Sequence, residues 1–221
     1  MNTINLIARR AVLLPATALI AAFLTSACVP LVVGGAFVGG TLVATDRRTS
    51  GAQLEDEGIE LRSVNRLREA FVERVHINAT SYNRQVLLTG EVPTEADKTR
   101  AQEIVSRVEN VRSIVNELAV LGNTSLASRS SDSLITGRVK ASFVDAKDLY
   151  ANAFKVVTER GTVYLLGRVS QREATLATEI ARTTPGVQRV VRVLEIITEE
   201  ELQRSLPQPA KPGTAPVNPP N

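Results

Sequence analysis

Between residues 77 and 197 the hydrophobic pattern runs with a period of two, then of 3.6, then of two again, and it does so twice. Ile77, Ala79 and Ser81 alternate with polar neighbours, and Phe154, Val156 and Thr158 take the equivalent places. The run Val86-Leu87-Leu88-Thr89-Gly90-Glu91-Val92 returns as Val163-Tyr164-Leu165-Leu166-Gly167-Arg168-Val169, at an offset of 77. Further on the offset is 76, and Ala101, Ile104, Val111, Val115 and Leu118 align with Ala177, Ile180, Val187, Val191 and Leu194. Matching at near-constant spacing over this length marks an internal duplication.

Each copy predicts the same elements. Asn83-Arg84 and Arg160-Gly161 are hairpin turns between two strands. Gly90 and Gly167 lie late in the second strand, where a missing side chain allows a bulge or a close backbone approach. Ala101, Ile104, Val105 and Val108 form one helical stripe, and Ala174, Ala177, Ile180 and Ala181 form its counterpart. Thr94 with Asp97, and Ser170 with Glu173, have the spacing of capping boxes. Asn110 and Pro185-Gly186 end these helices, and Val111–Val120 and Val187–Ile197 supply the last strands. A shorter amphipathic helix precedes each hairpin, over Leu61–Glu73 and Leu134–Lys147. The order is α-β-β-α-β, twice. Units of about 60 residues bury little surface alone, so the two copies are expected to dock across the linker 121–133.

The amino-terminal stretch is of another kind. Arg9-Arg10 precede the apolar run Ala11–Phe23, and small residues Ser26-Ala27 stand before Cys28, which reads as a secretory signal over residues 1–27. The Ser-Ala-Cys ending resembles a bacterial lipobox, with Thr25 where Leu is usual. That resemblance implies cleavage before Cys28 and acylation of its sulfur and amino terminus. Residues 28–60 are expected to form a lipidated apolar stalk and a polar linker, the acidic patch Glu55, Asp56, Glu57 and Glu60 being solvated. At the other end, six of the ten prolines fall beyond Arg204, and residues 199–221 read as a disordered tail.

The L-x-G-x-V strand ending, the Ala-rich helix and the Val-rich strand after it resemble the BON domain. Two such units behind a lipobox cysteine are similar to the dual BON-domain lipoproteins of the Gram-negative outer membrane. The resemblance implies an α+β fold of two tandem α-β-β-α-β domains, 61–121 and 134–198, each a small mixed sheet with two helices on one face. It also implies lipid anchoring at the periplasmic face of the outer membrane, since no Asp follows Cys28 to retain the chain at the inner one.

Composition narrows the chemistry. Removing residues 1–27 takes away Arg9 and Arg10 and no acid, leaving 24 bases against 23 acids, which is not the footprint of a nucleic-acid binder. One Cys and one His exclude a disulfide and every multi-histidine metal triad. His76 has Ala153 as its counterpart and reads as a surface or hairpin-packing residue, and Glu159, Glu173 and Glu179 read as exposed. No catalytic residue, metal site or cofactor is expected.

The copies differ in charge, with nine bases against eight acids over 61–121 and ten against six over 134–197. In the first helix of copy two, Ile135, Val139 and Phe143 would face the sheet, leaving Leu134, Arg138 and Ala141 on a second face. An apolar residue among cations suits an anionic lipid surface, although Leu134 could equally pack on copy one. The family resemblance implies the former. It points to Leu134, Ile135, Arg138, Val139, Lys140 and Ser142 as the phospholipid-binding element and to an anionic membrane as the partner. The alternative is a periplasm-facing scaffold for envelope-assembly or cell-wall proteins.

Overall fold

The computed structural model describes residues 46–71 and 75–205; the signal, Cys28, the apolar stalk and the proline-rich end lie outside the described residues. Copy one comprises α1 (Ser50–Phe71), β1 (His76–Tyr82), β2 (Gln85–Val92), α2 (Glu95–Ser106), β3 (Ser113–Asn116) and β4 (Ala119–Val120). Copy two comprises α3 (Leu126–Asp145), β5 (Phe154–Glu159), β6 (Thr162–Val169), α4 (Gln171–Thr183) and β7 (Arg189–Ile196), followed by α5 (Glu199–Ser205). In each, the hairpin is antiparallel and the last strand returns parallel to the middle one, giving the mixed orders β1-β2-β3 and β5-β6-β7. The duplication is thus a repeated fold, with Val86–Val92 and Val163–Val169 as equivalent central strands.

Both hairpin turns have two consecutive residues at positive φ, Asn83 (49°) with Arg84 (64°) and Arg160 (52°) with Gly161 (70°). This is the twist-matched geometry of a two-residue loop. Arginine is a poor choice for it, and each turn is held from outside by a helical carboxylate. Asp56 of α1 accepts the amides of Asn83 (2.7 Å) and Arg84 (2.8 Å). Asp132 of α3 accepts those of Arg160 (2.9 Å) and Gly161 (2.8 Å).

Alternate residues of each central strand face opposite layers, and both faces are buried. Val86, Leu88 and Val92 pack under α1 and α2 with Ile59, Leu67, Ala101 and Val105. Val163, Leu165 and Val169 pack under α3 and α4 with Ile135, Val139, Phe143 and the small residues Ala174, Ala177 and Ala181. The residues between them point the other way. Tyr82 and Leu87 of copy one meet Tyr164, Leu166 and Val193 of copy two, so the sheets pack back to back with helices outside. Burial pushes the phenol of each tyrosine up to about 12.

The central glycines are needed for close approach. A Cβ on Gly90 would lie 1.9 Å from the His76 carbonyl oxygen, at a φ of 113°. One on Gly167 would lie 2.5 Å from the Ala153 carbonyl oxygen, with ordinary backbone. Where Gly90 twists the strand, the parallel partner breaks into β3 and β4, while β7 pairs unbroken along β6.

Three expectations are corrected. The acidic stretch before residue 61 is no solvated linker: α1 begins at Ser50, with Ile59 and Asp56 buried. Residues 126–133 are likewise helix, capped by the Ser125 hydroxyl, which accepts from the Ser128 amide. The tail is helical as far as Ser205, because Thr198 caps α5 and Leu202 is buried. The capping box is complete at Ser170 and Glu173, whereas Thr94 caps α2 by accepting from the Asp97 amide alone.

Candidate functional site

The outer face of α3 stands apart from that of α1. Its inward stripe, Asp132, Ile135, Val139 and Phe143, is buried and fixes the rotation of the helix. At 100° per residue the opposite arc carries Leu126, Ser130, Leu134, Gly137, Ala141 and Val144, all exposed and none charged. Leu126 is 79% exposed, Leu134 62% and Val144 72%, so the face shows apolar side chains to solvent rather than to copy one. Arg138 and Asp145 border the arc on one side and Lys140 on the other, all exposed. The exposed positions of α1 also include Leu54 (70%) and Leu61 (63%), but there they are interspersed with the charged Glu57, Arg68 and Glu69.

The residues expected to meet lipid therefore divide. Leu134, Arg138 and Lys140 are available at the surface. Ile135 and Val139 are core residues and Ser142 is half-buried, so these three orient the helix and do not offer a contact. The sequence pattern missed Leu126, Gly137 and Val144. The first fell in the supposed linker, while the other two lay within the expected helix but were not read as part of its outer face.

The true extents of the copies also sharpen the charge contrast. Over 50–121 there are nine bases against twelve acids, and over 126–197 eleven against seven. The outer helix of the basic copy is the one that carries an arc without charged residues.

The chain enters the folded body through two arginines, each of which grips one copy. Arg47 makes a bidentate pair with Glu173 (2.8 and 2.6 Å), donates to the Arg168 carbonyl (3.0 Å), and lies over the Tyr150 ring. Burial opposes ionisation of Glu173, but Arg47 and the Ser170 amide outweigh it and hold its carboxyl below the ordinary 4.5. Arg48 bonds Asp46 and Asp56 and stacks 4.2 Å from the centre of the Tyr82 ring. Asp56 behaves as Glu173 does: desolvation is overcome by the Ser81 hydroxyl, two turn amides and Arg48, so it too is lowered. Asp46, the first described residue, shares a cleft with Lys140, Val144 and Tyr150's neighbour Ala151. The entry point thus adjoins the uncharged face of α3.

A polar cluster borders the apolar interface between the sheets. Asn83 donates to Glu195 (2.6 Å), Arg189 to Glu117 (3.2 Å), Lys155 to Glu60, and Asn78 to Glu159 (3.1 Å). His76 is half-buried here beside Glu91 and Glu159, and neither Glu159 nor Glu173 is at the surface as expected; only Glu179 is.

Among the described residues no helix is long and apolar enough to cross a membrane. The BON domain family model matches residues 55–122 and 131–198. The chain is 38% identical over 198 residues to "Outer membrane lipoprotein DolP" of Haemophilus influenzae, covering 88% of this chain and 99% of that protein. It is 34% identical over 154 residues to the "21 kDa hemolysin" of Actinobacillus pleuropneumoniae, covering 69% and 79% respectively. Among solved structures, CdsD of the Chlamydia trachomatis type III secretion system aligns over 69% of this chain and 96% of its own at 15% identity. The TM-score of that alignment is 0.27.

Proposed function

This chain belongs to the BON domain family, with two copies in tandem at the outer membrane, and from that premise we propose that it is a non-enzymatic lipoprotein whose second copy binds anionic phospholipid. The observation that carries the reading is the uncharged outer arc of α3, Leu126–Leu134–Ala141–Val144, flanked by Arg138 and Lys140. Apolar groups entering the headgroup region gain by burial, while each neighbouring cation adds about 1 kcal/mol on an anionic surface. Acylated Cys28 would keep this face at the membrane, and the chain's entry beside Lys140 and Val144 favours that orientation. One acyl chain holds weakly and several hold stably, so anchoring and surface binding act together.

The test is flotation of fragment 46–205, which keeps Arg47 and Arg48, with vesicles of phosphatidylglycerol or phosphatidylcholine. Binding to the anionic vesicles alone, lost in Leu134→Asp and in Arg138→Glu with Lys140→Glu at unchanged circular dichroism, is the expected result. Equal binding to both vesicles, or to neither, ends the lipid reading and leaves a scaffold for envelope proteins. In the whole protein, mass spectrometry of the extracted amino terminus should find an acylated Cys28, and Cys28→Ala should release a folded chain.

A further inference from the structure

Where the sheets meet, three metal-ligating side chains converge that lipid binding does not use. His76 opens β1, Glu91 stands opposite it in β2, and Glu159 closes β5 of the other copy. One donor atom from each lies within 4.8 Å of the other two. His76 Nδ1 is 3.0 Å from Glu91 Oε2 and 3.9 Å from Glu159 Oε1. Two donors bound about 2.1 Å from a tetrahedral ion stand about 3.4 Å apart, so side-chain rotation alone spans the difference.

An independent observation points the same way. Glu91 is wholly buried, and its Oε2 accepts from the Thr124 amide and hydroxyl, each at 3.2 Å. Its Oε1 is also buried and accepts no hydrogen bond among the described residues. The nearest cation, Arg160 Nη1, is 3.8 Å away on a side chain 43% exposed, which can swing into solvent. A buried carboxylate oxygen with no donor is costly, and a cation is the partner that would satisfy it. Glu159 is buried in the same cluster. Asn78 donates to Glu159 Oε2 at 3.1 Å and would orient the carboxylate from outside the site. A cleft of about 290 Å³ lined by His76, Asn78, Arg129 and Glu159 gives access from solvent.

We propose that His76, Glu91 and Glu159 form a site for a divalent transition-metal ion of the zinc class, bridging the two BON copies. Two carboxylates and a neutral imidazole balance the charge of the ion, and water takes the fourth position. The mix of one nitrogen and two oxygen donors suits zinc or manganese better than a purely oxygen-seeking ion. The site is independent of the lipid reading, because the cluster lies in the interface between the sheets and not on the outer face of α3.

The experiment uses the full chain in detergent micelles, prepared without a histidine tag, stripped with chelator and dialysed against zinc chloride at neutral pH. Elemental analysis and titration calorimetry should give one zinc per chain, with magnesium failing to compete. Glu159→Gln and His76→Gln, each checked by circular dichroism, should each weaken binding about tenfold or more, while the exposed Glu179→Gln should not. Cobalt loading adds a second readout, since a tetrahedral site absorbs in the visible and that band should vanish in Glu159→Gln. A wild-type chain that takes up no stoichiometric zinc overturns the proposal. So does wild-type affinity in both His76→Gln and Glu159→Gln. If one variant does not fold, the other decides.

Discussion

Asp56 and Asp132, 76 residues apart, play the same part in their two copies, each reaching from the first helix to hold both amides of its own hairpin turn. The two turns have positive φ at non-glycine residues, and Arg84 and Arg160 adopt it because a buried carboxylate holds the peptide groups in place. Helix and hairpin are therefore joined by charge-assisted hydrogen bonds as well as by apolar packing.

Asp132→Ala should strip two amides of their acceptor and destabilise the protein by about 1–3 kcal/mol in urea unfolding, with Asp132→Asn costing less because one oxygen remains. Asp56→Ala should cost at least as much, since it also abandons Arg48 and the Ser81 hydroxyl. Wild-type stability in both alanine variants would show that the turns form without help.

The two central glycines should not be equivalent. Gly90→Ala combines positive φ with a backbone clash and is expected to cost more than about 2 kcal/mol. Gly167→Ala meets only the Ala153 carbonyl, at a longer distance and with relaxed φ, and should cost about half as much. Urea midpoints of the two variants give the order directly.

Arg47 and Glu173 form a pair whose side chains are 2% and 0% exposed. Arg47→Met alone leaves a buried carboxylate and should cost about 3–5 kcal/mol, whereas Arg47→Met with Glu173→Met should recover much of the loss. The double-mutant cycle in chemical denaturation measures this coupling.

Acid should act on these carboxylates with opposite signs. Asp56 and Glu173 lie below their ordinary values of 3.8 and 4.5, so their contribution is present above those values and is lost as pH falls through the folded pKa. Glu159 lies above 4.5, so its contribution is present below 4.5 and is lost as pH rises through its raised pKa. In metal-free protein, Glu159→Gln should therefore be more stable than wild type at neutral pH and converge with it in acid. Asp56→Asn should flatten the acid limb. Unfolding midpoints taken from pH 7 down to about pH 2 test both.

Lipid binding through Arg138 and Lys140 should fade with salt, because screening shortens from about 10 Å at 0.1 M to about 3 Å at 1 M. Flotation of fragment 46–205 across that range should fall steeply. Charge reversal at Arg66 and Arg68 of copy one should have little effect.

Strands, turns and the second helix of each copy were legible because their apolar residues follow one period closely. The starts of α1 and α3 were not, because the residue facing inward there is a carboxylate. Asp56 and Asp132 interrupt the apolar stripe where a hydrophobic pattern needs a Leu, and the Ser-rich stretch before Asp132 has weak helix propensity. The back-to-back packing did leave a trace, since Val86-Leu87-Leu88 and Val163-Tyr164-Leu165-Leu166 are continuous apolar runs suited to strands covered on both sides. Nothing in periodicity links Arg47 to Glu173 or His76 to Glu159, because those contacts depend on how the copies dock. The duplication could not suggest the second pair either, since His76 has only an alanine as its counterpart.

The grip of Arg47 on copy two and of Arg48 on copy one has a mechanical side. A pull arriving along the chain from its amino-terminal end is shared at once between Glu173 and Asp56. The load enters as two parallel ionic contacts, one to each copy, and not in series through copy one. Copy two, which follows in sequence, is as directly tethered as copy one, and an envelope that stretches or bends would move the pair as a single body.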